Sequence, residues 1–243
     1  MGVNLGLMAE VERRAKNIKL SPENLARLID HALLHPEKSS ESFRNLCNEA
    51  KKYHFYSVCV NPFWVRFCSD ELRGTDIKVV ATVSFPFGQM TTRMKALETR
   101  EAIENGASEI DMVMNIGAFK DKNYEYVRRD IEAVVDAARG NVVKVIIEAG
   151  YLTDDEVVKA CEIAKQSGAH FVKTATGFGP TGATVPHVYL MRKTVGESFG
   201  VKASGGIRNF GDALMMVAAG ANRIGASASV KIIEDYKSAK LNE

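Results

Sequence analysis

Three lysines occupy matching places in three apolar stretches: Lys144 in "VVKVIIE", Lys173 in "FVKTATG" and Lys202 in "GVKASGG", each 29 residues from the next. An unpaired ammonium group is too costly to bury without purpose. The chemistry that uses such a cluster is imine formation on a carbonyl. A lysine attacks a carbonyl only as the neutral amine, yet its ordinary pKa is about 10.4, so work near neutral pH requires roughly 4.5 kcal/mol against the charged form. One ammonium at about 5 Å supplies about 3 kcal/mol at an effective dielectric of about 20. Desolvation supplies the rest. A lysine pair therefore divides the work, one partner staying cationic while the other becomes nucleophilic. The residues alone do not say which is which.

Imine chemistry on an aldehyde also needs a proton shuttle. Asp111 in "EIDMVMN" is the first candidate, and it serves equally as a counter-ion for a buried lysine. Asp30 in "LIDHALL" and Glu148 in "VIIEAG" rank below it, as hydroxyl ligands or charge balance. Glycine-rich turns follow the last three apolar stretches: "TGFGPTGAT", "SGGIRN" and "GASAS". Such turns let backbone amides approach an anion, so Gly205, Gly206, Gly225 and Ser227 are candidate phosphate ligands, with Arg208 adding charge. His31, His35, His54, His170 and His187 show no metal spacing. Ser84 lacks a nucleophile elbow. Cys59 reads as packing or as facing the cavity, and Trp64, Phe85 and Phe87 as packing or cavity wall.

The elements that must position these groups alternate along the whole chain. Strands are expected near 27–31, 57–60, 78–84, 109–115, 142–148, 170–176, 200–206 and 223–227. Periodic helical segments lie between them, at 91–106, 123–139 and 153–168 among others. Thr153 and Glu156 form a capping box, and Gly106, Gly140, Gly168 and Gly220 stand where helices stop. Eight strand–helix units with near-continuous apolar strands, in 243 residues, predict a single (β/α)8 TIM barrel. A doubly wound sheet would favour a glycine fingerprint after its first strand, and "IDHALLHP" has none. Residues 1–20 are expected to add an amphipathic helix across the N-terminal mouth, in a simple packing role. In such a barrel, strands five to seven are neighbours, so the three lysines fall at one register and crowd together, unless a one-residue slip turns one outward.

Composition narrows the partners. Charged residues make up 26% of the chain and leave a net +2, which favours neither nucleic acid nor membrane. No run of 18 apolar residues occurs. "MGVNLGLMAE" has charges where a signal peptide needs an apolar centre, and "MGVNLG" lacks the residue a myristoylation signal requires. The four cysteines, Cys47, Cys59, Cys68 and Cys161, are expected as reduced thiols in a cytoplasmic protein. These features fit a Schiff-base aldolase, a transaldolase, or a phosphosugar-binding barrel without turnover.

Taken in order, "IDHALL", "SVCVNP", "VSFPFG", "EIDMVMNIG", "KVIIEAG", "FVKTATGFGPTGAT" and "VKASGGIR" resemble the deoxyribose-phosphate aldolase family, from about residue 25 to about 230. The resemblance implies a class I aldolase that needs no metal or other cofactor. It implies reversible cleavage of 2-deoxy-D-ribose 5-phosphate to D-glyceraldehyde 3-phosphate and acetaldehyde. By the same resemblance Lys173 is the Schiff-base lysine, Lys202 its activating neighbour, and Asp111 the acid/base. Lys144 joins the polar network. Asp30 and Thr176 lie near substrate hydroxyls. Gly177, Gly205, Gly206, Arg208, Gly225 and Ser227 bind phosphate. A homodimer or homotetramer is implied as well. Two departures stand out. The chain ends "YKSAKLNE", leaving Tyr236 as the candidate for a tyrosine that some members carry at their C-terminus. Phe178 and Ala228 stand where some members have lysine and serine.

Overall fold

The computed structural model describes residues 5–240. Eight parallel strands form a closed barrel in sequential order. They are β1 (Ile29–Leu33), β2 (Ser57–Val60), β3 (Lys78–Val83), β4 (Glu109–Val113), β5 (Val142–Ile146), β6 (Phe171–Lys173), β7 (Gly200–Ser204) and β8 (Arg223–Ala226). Before β1 lie α1 (Leu5–Asn17) and α2 (Pro22–Ala26). The crossovers carry α3 (Ser40–Tyr53), α4 (Val65–Glu71), α5 (Thr92–Glu104), α6 (Ile116–Lys120), α7 (Tyr124–Ala137), α8 (Asp154–Gln166), α9 (Val185–Val195) and α10 (Phe210–Ala218), and α11 (Ser229–Lys240) follows β8. No helix among the described residues is long and apolar enough to cross a membrane.

Strand alternation divides the buried side chains into two populations. Val143, Val145, Val172, Val201, Ala203 and Ile224 face the helices and join the apolar layer formed with Val134, Val157, Val188 and Ala213. The opposite parity holds most of the buried polar groups: Asp30, Ser57, Glu109, Asp111, Lys144, Lys173, Lys202, Ser204 and Arg223 are buried inside the barrel, with Cys59, Val80, Val113 and Ile146 among them. Ordinary barrels fill this space largely with branched aliphatic residues. Here a column of charge runs through the interior, and most of the apolar burial lies between strands and helices.

The expected strands are present, and several end early. β6 stops at Lys173, three residues before the expected end, because the glycine-rich turn begins there. β1 starts two residues later than expected, since "LARL" is occupied by α2 and its C-cap at Arg27. The Thr153–Glu156 capping box is formed, with bonds of 2.8 and 3.3 Å. The N-terminal extension is the helix expected, in a packing role, but its place differs. α1 buries Val11 and Ala15 and packs against α10 and α9. It therefore adds to the outer helical layer instead of stretching across the barrel mouth. Residues 1–4 of the expected extension, with the "MGVN" of the lipidation test, lie outside the described residues, as do 241–243.

Candidate active site

Asp111 is the hub of the column. Its Oδ2 accepts from Lys173 Nζ and from Lys202 Nζ, each at 2.7 Å, and its Oδ1 accepts from Lys144 Nζ at 2.9 Å. The two catalytic candidates therefore share one oxygen, and their nitrogens lie no further apart than twice that distance. Lys202 also pairs with Asp30, and Lys144 with Glu109 at 2.6 Å. Below them Arg223 bridges Asp30 at 2.9 Å and Glu109 at 3.3 Å. Ser57 donates to Asp30 at 2.6 Å and Tyr56 to Glu109 at 2.9 Å. The guanidinium of Arg223 lies 3.5 Å from the Tyr56 ring centre and 5.5 Å from that of Phe171. These aromatic faces form the floor.

Equal spacing in sequence does not become equal register in the barrel. Lys173 is the direct partner of Lys202, but Lys144 pairs with Phe171, and Ile146 is opposite Lys173. Successive strands of a closed barrel are staggered, so Lys144 stands two residues lower than the other two. It still reaches the group because Asp111 is its direct strand partner and offers it the other carboxylate oxygen.

Burial and charge oppose each other throughout this network. Burial alone would raise the Asp111 carboxyl, but Lys144, Lys173 and Lys202 outweigh it and hold it well below the usual range. Asp30 behaves alike: burial pushes it up, while Lys202, Lys144 and Arg223 bring it lower. Burial would strip the proton from Lys202, yet Asp111 and Asp30 raise it above an ordinary lysine. Lys202 is thus a fixed ammonium. Lys173 differs in its partners. It touches one carboxylate where Lys144, Lys202 and Arg223 each touch two.

Lys173 and Lys202 open onto a cavity of about 240 Å³ at the C-terminal ends of the strands. Thr176, Gly177, Gly205, Gly206, Arg208, Gly225 and Ser227 line the same cavity, so every residue read as phosphate-binding is brought beside the lysine pair. Gly205 and Gly206 have φ of 88 and 77, a left-handed pair that turns backbone amides toward one side. Gly225 has a further reason to lack a side chain: a Cβ there would lie 2.9 Å from Lys202 Cε. Asp30 and Lys144 do not reach this cavity. Asp30, expected near substrate hydroxyls, lies fully buried beneath Lys202 and holds that cation from below.

Other expectations shift. Of the two readings of Cys59, the cavity-facing one holds: it lines the cavity, with Sγ 3.9 Å from Asp111 Oδ2, and burial pushes its thiol up. Tyr236 does not reach the site: its hydroxyl donates to the Leu20 carbonyl and its ring packs on Phe210. Phe178 stands on the cavity wall, 5.5 Å edge-on from Phe85 and 5.4 Å from His35. Glu109 and Arg223 were missed in the sequence. Each lies two residues before a candidate on the same strand, Asp111 and Gly225, and that period-two offset was the available signal.

A closed eight-stranded parallel barrel with a lysine-centred cavity at its C-terminal rim defines a (β/α)8 barrel with imine-forming equipment. The comparisons narrow the class: the DeoC/LacD aldolase family matches residues 25–233, and the chain belongs to that family. The deoxyribose-phosphate aldolase of Clostridium tetani is 57% identical over 214 residues, covering 88% of this chain and 99% of that protein. That of Caldanaerobacter subterraneus is 54% identical over 217 residues, covering 88% and 94%. The solved deoxyribose phosphate aldolase of Aeropyrum pernix, described as a unique tetramer, superposes with a TM-score of 0.89 at 34% identity, covering 95% of this chain and 98% of that one.

Proposed function

We propose that this protein is a class I aldolase that reversibly cleaves 2-deoxy-D-ribose 5-phosphate to D-glyceraldehyde 3-phosphate and acetaldehyde. The observation that carries the reading is the shared Asp111 oxygen, which holds Lys173 and Lys202 together at the floor of a cavity rimmed by glycine turns. Relatives of that name cover nearly their whole length with this chain.

Lys173 is the nucleophile in this reading. Four cations in the bonded network face three carboxylates, and Lys173 has the fewest carboxylate partners. A neutral amine is what addition to C1 requires. Addition gives a carbinolamine. Loss of water gives the protonated imine. The C3 hydroxyl gives up its proton while the C2–C3 bond breaks, and the bonding pair flows into the imine to form an enamine. The three-carbon aldehyde phosphate departs. Protonation of the enamine at C2 and hydrolysis then release acetaldehyde and restore the amine. Asp111 and Lys202, with water, carry these protons. Thr176 binds a hydroxyl, while Gly177, Gly205, Gly206, Arg208, Gly225 and Ser227 hold the phosphate, so remote binding fixes the C2–C3 bond in line.

The reaction needs no cofactor, and the partners are a phosphosugar and further copies of this chain in a cytoplasmic dimer or tetramer, with neither nucleic acid nor membrane involved. Phe63 and Phe87, 83% and 71% exposed, offer apolar surface for self-association. The decisive experiment is borohydride reduction in acetaldehyde followed by peptide mass analysis. An adduct of 28 Da, the reduced two-carbon unit, on Lys173 is expected (about the mass of C2H4). Labelling elsewhere, or no cleavage of the phosphosugar, overturns the proposal.

A further inference from the structure

At the end of β5 the chain bends sharply, and Glu148 takes the left-handed conformation with φ 49. A residue with a Cβ spends about 1–2 kcal/mol there. Its carboxyl is almost wholly buried, at 1% exposure. Oε2 accepts from the Thr176 amide at 3.0 Å and from the Thr176 hydroxyl at 2.5 Å. That hydroxyl in turn accepts from the Phe178 amide at 3.0 Å. The far end of the same loop rests on the same carboxyl, because a Cβ on Gly179 would lie 2.7 Å from Glu148 Cδ and Oε1. Both ends of the Thr176–Gly179 turn are therefore set by one side chain that itself does not line the lysine cavity.

We propose that Glu148 is a positioning residue for the cleavage reaction, bracing the Thr176–Gly179 turn so that Thr176 and Gly177 meet the substrate beside Lys173. The proposal rests on the aldolase reading above. Glu148 touches no reacting atom. It acts through Thr176, which lines the cavity, and through Phe178, which forms part of its wall.

The brace is held at an energetic cost. Burial pushes the Glu148 carboxyl up, only partly offset by the Thr176 bonds and Lys173. Oε1 is buried with no hydrogen-bond partner, and Glu148 lines a second cavity of about 330 Å³ together with Lys120 from α6 and Tyr151. A raised carboxyl destabilises the fold when ionised, above the ordinary value near pH 4.3. An amide in its place removes that cost at neutral pH while losing the charge-assisted grip on Thr176.

The test compares Glu148→Gln, Glu148→Ala and Gly179→Ala for KM, kcat, Tm and hydrogen exchange of the 176–179 amides. Glu148→Gln should raise KM for 2-deoxyribose 5-phosphate about tenfold, Glu148→Ala more, with kcat within about threefold. Gly179→Ala should raise KM from the other side of the turn. The Tm of Glu148→Gln should hold or rise, and exchange at 176–179 should quicken in Glu148→Ala. Glu148→Ala combined with Thr176→Val should be no worse than the worse single change. Unchanged KM in both Glu148→Gln and Gly179→Ala, or a fall in Tm without any change in KM or exchange, overturns the brace. If the unmodified protein neither cleaves the phosphosugar nor labels at Lys173, the aldolase reading fails instead, and the exchange measurement still reports on the turn.

Discussion

Lys173 and Lys202 are direct partners across β6 and β7, and both donate to the same oxygen of Asp111 at 2.7 Å. One carboxylate thus fixes the distance between the proposed nucleophile and the charge proposed to activate it. Lys173→Ala should lower turnover by about three orders of magnitude or more and abolish borohydride labelling. Lys202→Met should lower turnover by about 10²–10⁴-fold. It also takes one cation from each of Asp30 and Asp111, which keep Arg223 and the other two lysines, so a loss of about 1–3 kcal/mol in urea unfolding should accompany it.

Arg223 adds positive charge to the network from the floor without touching the cavity. Removing that charge makes it easier for the lysines above to stay protonated. Arg223→Met should therefore shift the rising limb of kcat/KM to higher pH. The shift should be about one pH unit for a charge acting from roughly 10 Å at a dielectric near 20. Arg223→Lys should restore most of the original profile. An unchanged pH profile in both variants would show that the floor does not tune the amine.

Acid should release the column. Asp30 and Asp111 are held below the ordinary carboxylate value of about 4. A depressed carboxyl contributes stability in full above its unfolded value, and that stability is lost as pH falls through the folded value. Stability should thus drop steadily below about pH 4, with a shallower slope in Asp30→Asn. Urea titrations between about pH 2.5 and 5 measure it.

A second buried ion pair lies outside the barrel. Lys95 on α5 meets Asp130 on α7 at 2.5 Å with neither side chain exposed, and it also donates to the Val113 carbonyl at 2.9 Å. Asp130→Ala should cost about 3–5 kcal/mol and leave KM within about twofold. Lys95→Met with Asp130→Leu should recover much of that stability, because a matched apolar pair strands no charge.

Tyr236→Phe is expected to leave kcat unchanged. Its hydroxyl holds the Leu20 carbonyl, so the loss should be about 1 kcal/mol of stability, read by thermal unfolding.

Much of this site was legible before any coordinates. Apolar strands at regular intervals define the barrel, and lysines in three of them demand an explanation. Asp111, Lys173 and Lys202 follow from cost: charged groups in core strands need partners. Register was not legible, because barrel stagger is a property of closure and not of any one strand, and so Lys144 sits lower than its spacing suggests. Glu109 and Arg223 were hidden because each begins a strand, where a charge reads as a solvated end. Between hydroxyl binding and charge balance for Asp30 the sequence could not choose, for a related reason. Its distance from the cavity depends on which side chains stack above it, and Lys202 occupies that space.

Phe171 and Tyr56 close the barrel from below, and this has a consequence for traffic. Lys144 and Lys202 are fully buried, and Lys173, at 2% exposure, opens only upward into the cavity. The barrel is a vessel with one door. Substrate, water and both products must take turns at the same rim, beneath Phe178, so whatever lingers there blocks departure as surely as arrival.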